Sequence, residues 1–97
     1  MENILNTLDE IIKNRKSEMP AGAYTTTLFK SGLDRILRKI GEESGELIIA
    51  AKNNDPVETA NEAADLIFHV MVMLHHQGLS LKSIEDVLKA RHQERQS

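Results

Sequence analysis

The chain has 97 residues and no cysteine, which fits one small domain over residues 1–97 and excludes disulfides, thiolate metal sites and a cysteine nucleophile. Its 40% hydrophobic and 28% charged residues predict a globular protein, and the lack of cysteine suits the reducing cytoplasm, its expected location. A net charge of −3 and an aromatic content of 3% count against nucleic acid and against an anionic membrane surface as partners.

Met1 to Leu5 offers neither a basic n-region nor an apolar h-region, so no signal peptide is expected. The first helix is predicted over about Glu2 to Lys16, where Ile4, Leu5, Leu8, Ile11 and Ile12 recur at helical spacing. Ser17 to Ala23 holds Pro20 and Gly22 and reads as a loop. Tyr24-Thr25-Thr26-Thr27 is β-branched and ambiguous; Thr25 or Thr26 is expected to cap a short helical turn through Leu28 and Phe29, before a corner at Ser31-Gly32.

The second main helix is predicted from about Leu33 to Lys52. Gly41 and Gly45, four apart, make a small-residue notch that implies close helix packing or room for a ligand at the backbone. Asn53 to Pro56 is a turn. Asp55, Pro56 and Glu58 supply an N-cap, a first-position proline and a capping box for the third main helix. That helix is expected to run to about Gln77 and stop at Gly78. It is apolar nearly all round from Ala63 to Leu74, so it is expected to be the central buried helix. The stretch Leu66 to Leu74 is far too short to span a bilayer. A fourth main helix starts near Ser80 or Ser83, with a polar tail from Lys89 to Ser97 expected to fray. The expected fold is all-α, an antiparallel bundle of four main helices completed by dimerisation, because so short a chain buries a modest fraction of its surface.

Two acidic pairs stand out. Glu43 and Glu46 share one helix face, as do Glu62 and Asp65 on the next helix, and Glu42 adds a fifth carboxylate. Both pairs border apolar residues such as Ile40, Leu47 and Leu66, where unpaired acids are costly. A short connection makes the two helices antiparallel neighbours and brings the pairs opposite each other. A shared divalent cation accounts for this, and oxygen ligands favour Mg²⁺ or Mn²⁺. The alternative is a solvated charged face with pairs such as Lys39 to Glu43.

Several stretches resemble the phosphoribosyl-ATP pyrophosphohydrolases, all-α nucleotide pyrophosphohydrolases of histidine biosynthesis. These are Tyr24-Thr25 with Leu28, Gly32-Leu33-Asp34-Arg35-Ile36-Leu37, Lys39-Ile40-Gly41-Glu42-Glu43 with Glu46, Ile49-Ala50-Ala51-Lys52-Asn53, Glu62-Ala63-Ala64-Asp65-Leu66 with His69, and Gly78-Leu79-Ser80. The likeness covers nearly the whole chain. It departs at Ala23, where a serine is usual, and at Ser44-Gly45, where bulkier residues are usual.

The resemblance implies hydrolysis of the α–β anhydride of phosphoribosyl-ATP, giving phosphoribosyl-AMP and pyrophosphate. It implies Mg²⁺ on Glu43, Glu46, Glu62 and Asp65, with Glu42 as a further ligand or water-orienting base. Lys30, Arg35, Lys39, Lys52 and Asn53 are candidate substrate contacts, the cations through charge-assisted hydrogen bonds to phosphate. His69, one turn after Asp65, reads either as a partner of the acids or as a satisfied core histidine. His75, His76 and His92 read as terminal or surface residues. The rival functions are a housecleaning pyrophosphohydrolase acting on a dNTP or NTP, and a non-catalytic helical dimerisation module.

Overall fold

The computed structural model describes residues 3–96. The expected helix start at Glu2 and the last residue of the tail, Ser97, lie outside them. Among the described residues there are five helices and no strand: α1 (Ile4–Glu18), α2 (Tyr24–Ser31), α3 (Leu33–Lys52), α4 (Pro56–His76) and α5 (Leu81–Gln96). The chain is therefore all-α, with one more helix than the four main helices predicted.

Asn3 caps α1 by accepting a hydrogen bond from the Leu5 amide at 3.0 Å. The helix runs two residues past Lys16 and closes on Met19, a left-handed residue (φ 50°) whose amide returns to the Arg15 carbonyl. The additional helix is α2. Thr25 and Thr26 do not cap it; both lie inside it and are buried, and Ala23 precedes it without a side-chain cap. Burial of Thr26 and Leu28 against neighbouring helices outweighs the weak helix propensity of the threonines. Gly32, at φ 96°, makes the expected corner into α3.

Asp55 caps α4 as predicted, accepting from the Glu58 amide at 3.1 Å, and Pro56 occupies the first turn. The reciprocal half of the box differs, since the Glu58 carboxylate accepts from Asn61 at 3.4 Å. The helix ends at His76, one residue early, and Gly78 turns the chain at φ 77°. The tail expected to fray is helical through Gln96. Lys, Ala, Arg, Gln and Glu dominate that tail and are good helix formers, and the Lys82–Asp86 pair at 2.8 Å supports the first turns.

The core is built from Ile12, Leu28, Ile36, Met71 and Val72, contributed by α1, α2, α3 and α4. Leu8, Phe29, Ile40, Phe68, Met73 and Leu81 pack around it. Burying each large aliphatic contributes roughly 1.5–3 kcal/mol. Helix α4 is central only over its C-terminal half, from His69 to His75; Ala64 and Ile67 on the N-terminal half are exposed. The glycine notch on α3 does not receive a neighbouring helix of this chain. A Cβ added at Gly41 or Gly45 would meet nothing within 4 Å.

Candidate metal and nucleotide site

Helices α3 and α4 are joined by Asn53 to Asp55 and pack along each other. A rise of about 1.5 Å per residue sets Glu46 and Glu62 at the same height, roughly 10 Å from this turn, and Glu43 and Asp65 at roughly 15 Å. The register of the hairpin thus brings the two acidic pairs level with each other. One oxygen each from Glu43, Glu62 and Asp65 lies within 4.8 Å of the others. Glu43 is buried, Glu62 half-buried and Asp65 exposed.

Glu62 sits among the acids. Its pKa is raised from 4.5 to about 7, first by hydrogen bonding with the Glu46 carboxyl, then by desolvation and by the negative charges of Glu46 and Glu43. One of its oxygens, Oε2, is sealed from solvent with no hydrogen-bond partner. Glu46 lies outside the tight group of three and lines the adjoining cleft with Glu62.

Glu42 is placed differently. It is half exposed and faces the cations of its own helix, Arg38 at 3.9 Å and Lys39 at 4.0 Å. Lys39 also approaches Glu43, at 3.9 Å. Asn53 lines a cleft of about 250 Å³ together with Glu46, Glu58 and Glu62. Arg35 is tied to Ser31 Oγ at 2.9 Å, and Lys30 and Lys52 are exposed; none of the three lines that cleft.

His69 is a satisfied core residue that also approaches Glu43. It is buried; its Nδ1 lies 2.8 Å from the Asp65 carbonyl oxygen and 3.7 Å from Glu43 Oε1, and its Nε2 lies 2.9 Å from the Tyr24 hydroxyl. No helical period links Tyr24 to His69, so their contact had no signal in residue spacing. His75 is not a surface residue. It is buried, with Nε2 2.8 Å from Asp9 Oδ1, and the same carboxylate oxygen accepts from the Leu81 amide at 3.0 Å. His76 is half-buried and His92 is exposed. The Asp9–His75 contact lines a larger cavity between α1 and the start of α5, away from the acidic group.

Comparison with known proteins supplies the lineage. Residues 5–92 match the family model described as phosphoribosyl-ATP pyrophosphohydrolase. A phosphoribosyl-ATP pyrophosphatase of Leptospira biflexa is 50% identical over 92 residues, 95% of this chain and 99% of the relative. One from Streptococcus gordonii is 50% identical over 88 residues, 91% of this chain and 85% of the relative. The histidine biosynthesis bifunctional protein HisIE of Bacillus subtilis is 55% identical over 91 residues, 94% of this chain. The chain spans under half the length of that bifunctional relative, 44% of it. A match of this extent, over a chain whose two acidic helices pair in register, places the protein in the phosphoribosyl-ATP pyrophosphohydrolase family.

Proposed function

We propose that this chain hydrolyses phosphoribosyl-ATP to phosphoribosyl-AMP and pyrophosphate, the second step of histidine biosynthesis. The observation that carries the reading is the meeting of Glu43, Glu62 and Asp65 across one hairpin, in a chain aligned over nearly its full length with relatives bearing the corresponding enzyme name. Polyphosphate and carboxylates repel each other, so such a site needs a positive mediator.

The donor set fits a hard divalent cation. It offers oxygen ligands only, and the solvent-sealed Glu62 Oε2 lacks any partner within the protein. Glu43, Glu46, Glu62 and Asp65 would hold Mg²⁺, with Mn²⁺ as a substitute. The ion supplies charge neutralisation at the phosphoryl oxygens and at the departing pyrophosphate. Glu42, which shares Lys39 with Glu43, is assigned as a further ligand or as the base that orients the water and takes its proton. Lys39 borders both carboxylates and is suited to bind phosphate, and Asn53 can donate to a ribose or base oxygen from the adjoining cleft. Lys30, Arg35 and Lys52 remain assigned to the outer reaches of the polyphosphate.

The active form we propose is a homodimer of single-domain chains in the cytoplasm, with the helical bundle completed by the partner. The accessible surface is 6761 Å², against about 5,600 Å² for a folded monomer of this mass. The radius of gyration is 15.1 Å, against about 13 Å for a compact chain of 100 residues. Ile48, Ile49 and Val57 are each more than 60% exposed, and the open glycines lie on the same hairpin. No helix among the described residues is long and apolar enough to cross a membrane.

The deciding experiment is pyrophosphate release from phosphoribosyl-ATP, with and without EDTA, beside a panel of dNTPs. Mg²⁺-dependent turnover of phosphoribosyl-ATP is expected. Turnover of dNTPs alone would move the chain to a housecleaning role. No turnover of either, with no thermal shift by Mg²⁺, would leave a helical dimerisation module.

A further inference from the structure

The carboxylates have a neighbour on a third helix. Tyr24 is the first residue of α2, and its ring stacks on Phe68 of α4, with centroids 6.1 Å apart and planes inclined by 24°. Phe68 in turn meets His69 edge-on at 5.1 Å. The hydroxyl of Tyr24 reaches over this pair to His69 Nε2, 45 residues away in sequence.

The hydrogen positions follow from the partners. A backbone carbonyl offers only lone pairs, so the 2.8 Å contact with Asp65 places the hydrogen on Nδ1. In the neutral ring Nε2 then accepts, and the Tyr24 hydroxyl donates. The opposite tautomer would turn the Nδ1 lone pair toward both the Asp65 carbonyl and Glu43 Oε1, 3.7 Å away. The Asp65 carbonyl therefore sets the tautomer, and the Tyr24 hydroxyl, bonded at the opposite ring nitrogen, fixes the ring orientation that presents an N–H edge to that carbonyl and to the Glu43 carboxylate.

We propose that Tyr24 and His69 are positioning residues: a hydroxyl from α2 locks the imidazole whose Nδ1–H holds the Asp65 backbone and faces the Glu43 carboxylate, so that α2 sets the geometry of the cation site. The inference rests on the reading of these acids as cation ligands. It goes beyond that reading by giving a role to two residues that are not ligands. Groups that orient ligands from behind carry roughly 10- to 100-fold in metal affinity.

The test is Mn²⁺ binding by electron paramagnetic resonance, with thermal melts of each metal-free variant as the control for folding. Tyr24→Phe keeps the stack on Phe68 and removes only the hydroxyl. It is expected to weaken Mn²⁺ about 10-fold with an unchanged melt. His69→Asn carries a donor near the Nδ1 position and has no ring nitrogen for the hydroxyl to hold, so it is expected to bind within about 3-fold of the unaltered chain, and adding Tyr24→Phe to it should change nothing further. His69→Gln keeps a group near Nε2 and loses the Nδ1 donor, and should bind as weakly as Tyr24→Phe. The nitrogen-15 spectrum of the imidazole should report the Nδ1–H tautomer in both the unaltered chain and Tyr24→Phe, with the Nε2 resonance shifted in the variant by loss of the hydroxyl donor. Unchanged Mn²⁺ affinity in Tyr24→Phe, or equal loss in the Asn and Gln variants, would overturn the inference while leaving the cation site standing. Failure of the unaltered chain to bind Mn²⁺ would overturn both. Should the His69 variants not fold, the Tyr24→Phe measurement decides alone.

Discussion

Cation binding should expel a proton from Glu62, and the number expelled should follow one titration. The Glu62 carboxyl is held near pH 7 by hydrogen bonding with Glu46, by desolvation and by the charges of Glu46 and Glu43. A cation among these oxygens requires the ionised form. With a pKa of about 7, binding at pH 7 should release about half a proton per chain, rising to ~0.9 at pH 6 and falling to ~0.1 at pH 8. Affinity should accordingly fall up to tenfold per pH unit below 7. The sign in the metal-free chain is the converse. A carboxyl whose folded pKa exceeds 4.5 favours the folded state fully below pH 4.5, and that contribution is lost as pH rises through about 7. The assay is calorimetric titration of Mg²⁺ in paired buffers of different ionisation enthalpy, at pH 6, 7 and 8. Equal heats in both buffers at pH 6 would refute the reasoning, as would an unaltered release in the Glu62→Gln variant.

Glu46→Gln should lower phosphoribosyl-ATP turnover about 100-fold or more with an unchanged helical circular-dichroism spectrum, and undiminished pyrophosphate release would contradict its assignment. Asp9→Ala strips the acceptor from both the buried His75 and the Leu81 amide, so urea unfolding should report a loss of about 2 kcal/mol or more, and amide exchange at the start of α5 should quicken. Ile48→Asp puts a charge on the exposed face of α3 and should shift sedimentation from dimer to monomer; an unchanged sedimentation coefficient would remove that face from the proposed interface.

The α3–α4 hairpin was legible because its determinants are local: a 3.6-residue apolar period, the Asp55-Pro56 start and the turn between. The short turn then fixed register, so the meeting of Glu43 with Glu62 and Asp65 followed from spacing alone. Helix α2 was harder to read, since threonines disfavour helix in isolation and form one here only because Thr26 and Leu28 find a core to enter. The Asp9–His75 and Tyr24–His69 contacts join residues 66 and 45 positions apart. Such pairs leave no trace in periodicity and depend on how helices dock. His75 near the end of α4 was misjudged for the same reason, because proximity to a helix terminus says nothing of what packs over it. The exposed Gly41 and Gly45 show the limit from the other direction: a small-residue notch announces that something may approach closely, without saying whether it belongs to the same chain.

Helix α4 divides into two regions with different duties. From His69 onward it is the keel of the molecule, wrapped by α1, α2 and α3. Before His69 it stands half clear of the rest, and its acids lie on that free length. Glu62 is half-buried and Asp65 exposed there, outside the core that keeps the chain folded. Exchange of Glu62 or Asp65 should therefore cost the fold less than exchange of Glu43, which α3 buries beside His69.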